Sequence, residues 1–155
     1  MIFGAIGLTT ALACGDKSEK TTEGGGKSPQ AGQSSFTTMQ FKAMRGEVPA
    51  NIKAIKTVQI MYEISYDRFV ESKEYPPRSK DKKSWDATNS GGFAVMNWSP
   101  DGEVRGSYSV VTTAGPNGDF KIIGVIDADG DGVYATYTAT KTTNPVKPTT
   151  GDDVY

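Results

Sequence analysis

The chain has 155 residues, with 17 basic side chains against 18 acidic ones, no histidine and a single cysteine. That excludes a Ser-His-Asp or Cys-His nucleophile pair, an internal disulfide and a His- or Cys-rich zinc site, and a net charge of −1 supplies no global attraction to nucleic acid. With a leader and a linker set aside, roughly 115 to 120 residues remain for folding, the usual size of one domain.

Residues 1–14 form an apolar run, too short to cross about 30 Å of hydrocarbon as a helix, that ends in Ala11-Leu12-Ala13-Cys14. This is the shape of an export signal with its cleavage site. Ala11-Leu12-Ala13-Cys14 resembles the bacterial lipobox, although Ala11 stands where that motif prefers Leu and no positive segment precedes it. The resemblance implies that Cys14 is the lipid attachment point and that a lipid anchor holds the mature chain on a membrane. Residues 15–35 are mostly Gly, Ser, Thr, Lys, Glu and Gln, including Gly24-Gly25-Gly26, and are expected to be a disordered tether.

A folded domain is expected over 36–155. Phe41, Met44, Val48, Ile52, Ile55, Tyr62, Tyr66 and Phe69 recur at spacings of three, four or seven, which predicts an amphipathic helix from Phe36 to about Ser72. Pro49 lacks a backbone N–H, so a bend is expected there, or a restart of the helix near Glu47. Tyr75-Pro76-Pro77 ends regular structure. The following loop carries Lys80, Lys82 and Lys83 on the way to Trp85.

Four strands are expected next, over Phe93–Trp98, Val104–Thr113, Phe120–Ile126 and Val133–Thr140, joined by turns rich in Gly, Pro, Asn and Asp. Short strands with tight turns predict an antiparallel meander, and one amphipathic helix laid across it gives an α+β domain.

The stretch from Met39 to Thr57, followed in order by Tyr75-Pro76-Pro77, Trp98-Ser99-Pro100-Asp101-Gly102, Tyr108-Ser109-Val110, Gly118-Asp119-Phe120 and Asp129-Gly130-Asp131-Gly132-Val133, resembles type IV pilins and pseudopilins. The resemblance covers about Phe36 to Tyr155 and implies a pilin-like head. It departs from the family in three ways: a polar tether replaces the long apolar N-terminal helix, Ala5 stands at the fifth position, where the family's mature chain has Glu, and the C-terminal disulfide is missing. What the resemblance implies is a non-enzymatic structural or interaction protein of the cell envelope or extracellular surface, working in or alongside a pilus or secretion filament, with itself or other pilin-like subunits as partners. The alternatives are a filament subunit that retains residues 1–13 for assembly, or a calcium- or carbohydrate-binding surface lipoprotein.

Three further groups of residues carry expectations. Asp127, Asp129 and Asp131, followed by Gly132, match the first half of a calcium loop, in which alternate carboxylates surround a hard cation. Thr138 stands where an EF-hand would place its Glu, and Asp153 near the C-terminus is offered as an extra ligand; the competing reading is a polar Asp-Gly hairpin turn. Tyr75, Trp85 and Trp98 would be the exposed anchors of a carbohydrate- or peptide-binding module, while Glu71 or Glu74 near Trp85 is the closest approach to an acid/base pair. Finally, Lys80, Lys82, Lys83 and Trp85 are expected to form a partner contact, the basic loop of one copy facing the acidic last third of another.

Overall fold

In the computed structural model of the protein, residues 31–113, 118–145 and 147–155 are described, with side chains from Ser35 onward. Cys14, the expected export signal and most of the expected tether lie outside these residues.

Helix α1 (Ala31–Arg45) contains no acidic residue in its first turn and places Lys42 and Arg45 in its last, where the helix dipole favours positive charge. It begins within the stretch whose composition reads as tether. Gly46 stays in the right-handed region (φ −61°, ψ −19°), and its N–H donates to the carbonyls of Lys42 and Ala43 at 3.2 and 3.1 Å. The helical path therefore carries on into α2 (Glu47–Tyr66). The restart at Glu47 is as expected, and it leaves Pro49 in the first turn of α2, where a missing N–H breaks no hydrogen bond within that helix.

The helix ends short of Ser72 because Asp67 turns left-handed (φ 53°), a conformation Asp tolerates better than most residues. Phe69, expected on the helical stripe, lies beyond that stop and packs edge-on against Phe120 at 4.9 Å. Gln59, wholly buried on α2, donates to the Val70 carbonyl at 2.6 Å and accepts from the Val70 N–H at 3.0 Å. It thereby satisfies both backbone groups where the chain leaves the helix.

Four strands follow: β1 (Ser72–Tyr75), β2 (Ser107–Thr112), β3 (Phe120–Ile126) and β4 (Ala135–Thr140), with a one-turn helix α3 (Gly92–Val95) between β1 and β2. They pair in chain order, each antiparallel to the next. The expected α+β arrangement, a helix on a four-stranded antiparallel sheet, is present. Val48, Ile52 and Ile55 of α2 bury completely against Tyr108, Val110, Ile122, Ile126 and Ala139 of the sheet. Gly124 permits this approach: a Cβ there would lie 2.6 Å from a Val48 methyl and 2.8 Å from Ile52 Cδ1.

One expected strand is absent, and two others begin later than expected, at Ser107 rather than Val104 and at Ala135 rather than Val133. Phe93–Trp98 is not a strand; Gly91 at φ 63° turns the chain into α3, and Phe93, Met96 and Trp98 point into the core from a helical turn and the bend after it. The fourth strand is instead β1, taken from polar sequence that reads as the end of regular structure. An edge strand carrying exposed Lys73 and Glu74 has little hydrophobic pattern to announce it. The long excursion between β1 and β2 is pinned midway by a bridge, with Lys83 N–H to Val104 O at 2.7 Å and Val104 N–H to Lys83 O at 2.9 Å.

Candidate functional site

The acidic turn between β3 and β4 is built by Asp127, which is buried at the end of β3. Its two carboxylate oxygens accept the N–H groups of Gly130 (2.7 Å) and Gly132 (3.0 Å), so one side chain folds the turn around itself. Gly130 and Gly132 supply the positive φ angles this requires (78° and 86°). Asp131 accepts the Val133 N–H at 2.7 Å. Asp127, Asp129 and Asp131 bring one carboxylate oxygen each within 4.8 Å of one another. Loss of some hydration within the turn, followed by repulsion from Asp131 and Asp127, raises the exposed Asp129 carboxyl above its usual range despite a backbone hydrogen bond from Asp131 that opposes the shift.

Three carboxylates that converge and repel can hold a hard cation, although calcium takes six to eight oxygens and Asp127 already accepts two backbone N–H groups. Asp153 is not brought to this cluster. It sits in the C-terminal segment, which Arg45 ties down by donating to the carbonyls of Asp152 (3.2 Å) and Val154 (2.6 Å). Thr138 lies within β4, opposite Ile123 and three residues from the strand's start, rather than in the turn.

The basic loop lies against this turn in the same molecule. The aliphatic stem of Lys80 runs so close to Gly130 that a Cβ there would meet Lys80 Cδ at 3.3 Å. Arg105 donates to the Lys80 carbonyl at 2.9 Å, and Arg78, paired with Glu74 at 2.8 Å, stacks over the Tyr134 ring at 5.0 Å. Lys82 and Lys83 keep exposed side chains further along. Trp85 is half-buried, its ring edge-on to Tyr75 (4.9 Å), Trp98 (5.1 Å) and Phe93 (5.5 Å).

Trp98 is itself buried, so Trp85 and Trp98 do not share an open face, and the expected trio of exposed aromatic anchors is instead a core cluster. No family model, curated protein or solved structure matches this chain.

The remaining expected acid/base candidates, Glu71 and Glu74, line an open cleft of about 480 Å³ between β1 and the Asn89–Gly92 stretch. Glu74 is held there by Arg78, whose Nε and Nη2 donate to it at 2.8 to 3.1 Å. Both carboxylate oxygens of Glu74 are thus engaged by one guanidinium, which leaves neither free to face a bound molecule in the cleft.

Sequence reasoning missed one polar cluster. Glu47, in the first turn of α2, accepts the N–H groups of Arg105 and Gly106 (each 3.0 Å) and the Tyr108 hydroxyl (3.0 Å), while Asn51 Nδ2 donates to that hydroxyl at 2.8 Å. Burial first, and then the Glu47 charge, push the Tyr108 phenol well above its ordinary value. The signal available in sequence was Glu47 and Asn51 at helical spacing, which by itself reads as solvated surface.

Proposed function

We propose that the protein is a non-enzymatic structural or interaction protein of the cell surface, with a head built like those of type IV pilins and pseudopilins, acting in or alongside a pilus or secretion filament. The observation that supports it best is the helix. The path of α1 and α2 covers one face of a chain-ordered antiparallel meander with α2 and continues N-terminally through α1, where Phe36 and Met39 are 63% and 69% exposed. A helix that outruns the domain it stabilises is a means of attaching that domain to something else. In this reading Cys14 is the lipid attachment, residues 15–30 and the start of α1 carry the head away from the anchor, and exposed Lys82 and Lys83 face other subunits. The test is fractionation of cells producing the full chain: the protein should appear in the envelope or in sheared surface filaments, and Cys14→Ser should shift it out of the envelope. Recovery of both forms wholly from the cytosol would overturn the proposal.

Calcium binding at the acidic turn is a second reading, favoured by the three carboxylate oxygens within 4.8 Å. It supplements the first, because an ion there would stiffen the β3–β4 hairpin without changing the rest of the head.

A further inference from the structure

The solvent side of the long helix carries a second apolar pattern that the domain's own core does not use. Phe36, Ala43, Ala50, Thr57 and Ile64 fall at intervals of seven residues, and all are exposed. Ala54 and Met61, four residues after Ala50 and Thr57, complete a four-three alternation on α2, the spacing that lines up one seam of a helix. None of these residues is charged. The Thr57 hydroxyl turns back onto the Lys53 carbonyl (3.0 Å) and that of Ser65 onto the Met61 carbonyl (3.0 Å), so both hydroxyls are spent on the helix itself. Gly46 keeps right-handed dihedrals between the two helices, so the α1 positions follow those of α2 across that single-residue junction.

The seam is also symmetric about its own midpoint. Counting outward from Ala50, Gly46 corresponds to Ala54, Ala43 to Thr57, Met39 to Met61 and Phe36 to Ile64. Small residues thus occupy the middle and large apolar ones both ends, with exposures of 63% and 69% at Phe36 and Met39 and of 61% and 81% at Met61 and Ile64. Such a surface is complementary to itself when a second copy is turned end for end. A two-fold axis at Ala50 sets small against small where two helices must approach closely, and large against large at each end. The end that receives Phe36 also has room for it, in a groove of about 300 Å³ lined by Val58, Met61, Tyr62, Tyr66 and Met96.

We infer that this face is a self-association surface on which two copies pair antiparallel through α1 and α2, each inserting Phe36 into the other's groove beside Met61. From residue 36 to residue 64 the seam is about 42 Å long at 1.5 Å per residue. A strip one helix wide along that length buries roughly 1,000 Å² over both copies, at the lower edge of specific interfaces. The dimer is therefore weak and concentration-dependent. Because the contact is apolar it persists as salt is raised, unlike a contact between charged patches.

The test uses the full chain with Cys14→Ser, followed by sedimentation over a concentration series at low and high salt. A monomer–dimer equilibrium is expected at both salts. Ala50→Glu, on an exposed helical position, should leave the melting temperature near that of the parent and weaken the dimer at least about tenfold by setting two carboxylates across the axis. Geometry is read separately by oxidative cross-linking: Ala50→Cys copies should link to each other, and Phe36→Cys should link to Ile64→Cys but not to itself. A monomer at every concentration, a link between two Phe36→Cys copies, or loss of the seam's exposure only on added lipid vesicles would each overturn the inference.

Discussion

Tyr108 shows how one side chain joins the helix to the sheet. Its ring is fully buried under α2, and its hydroxyl donates to Glu47 at 3.0 Å while accepting from Asn51 at 2.8 Å. Tyr108→Phe keeps the ring but leaves the Asn51 amide without that acceptor, and should cost about 1–2 kcal/mol of stability in a urea titration. The pH dependence has a definite sign. The folded phenol is held above its ordinary value, so the folded chain keeps a proton that the unfolded chain loses above pH ~10. Stability from Tyr108 is thus fully present below that pH and falls as pH rises through it. The gap between wild type and Tyr108→Phe should narrow in alkali; a constant gap would mean that the hydroxyl is not held as described.

At the scale of elements, the closest fit is between α2 and β3. Gly124→Ala would drive a methyl into Val48 and Ile52, and since both belong to a fully buried helical face the cost should be about 1–3 kcal/mol, read as a lower urea midpoint with the slope unchanged. A neutral result would mean that α2 is free to shift on the sheet. The β3–β4 turn carries a second prediction. If calcium joins Asp127, Asp129 and Asp131, it stabilises the folded state by mass action, so chelation should lower the melting temperature and Asp129→Asn should remove the difference. Identical melting curves with calcium and with chelator would leave Asp127's two backbone hydrogen bonds as the turn's whole purpose.

Much of this layer was legible in sequence. Val48, Ile52 and Ile55 announce the helix face by spacing, and Phe120–Ile126 is rich enough in β-branched residues to be read at its observed bounds. Ser72–Tyr75 was not legible, because a four-residue edge strand needs no alternation and its exposed Lys and Glu resemble a loop. Phe93–Trp98 misled for the opposite reason: a short apolar run fits a buried strand or a buried turn of helix equally well, and the left-handed Gly91 decided between them. The Glu47–Tyr108 cluster joins residues too far apart in sequence for any local pattern to register.

Across the whole molecule, charge is uneven in a nearly neutral chain, and the structure divides the basic loop into two parts. Lys80 lays its stem over Gly130 beside the acidic turn, whereas Lys82 and Lys83 extend into solvent. The Lys80 stem packs on Gly130 of its own molecule, so a carboxylate placed there would stand beside the converging Asp127, Asp129 and Asp131 and add to their repulsion. Lys80→Glu should therefore lower the melting temperature at low salt, with much of the loss recovered in high salt, where interactions beyond about 8–10 Å are screened. Lys82→Glu with Lys83→Glu should leave the melting temperature nearly unchanged, since exposed charges contribute little to stability. Under the proposed surface role the double variant should instead slow association with the filament or envelope partner, because charges at a contact rim set the rate and orientation of encounter. The measurement is a pair of melting curves at two salt concentrations beside a co-sedimentation assay with envelope or filament fractions. If the double variant melts early, or co-sediments as well as wild type, then Lys82 and Lys83 are not the partner-facing part of the loop.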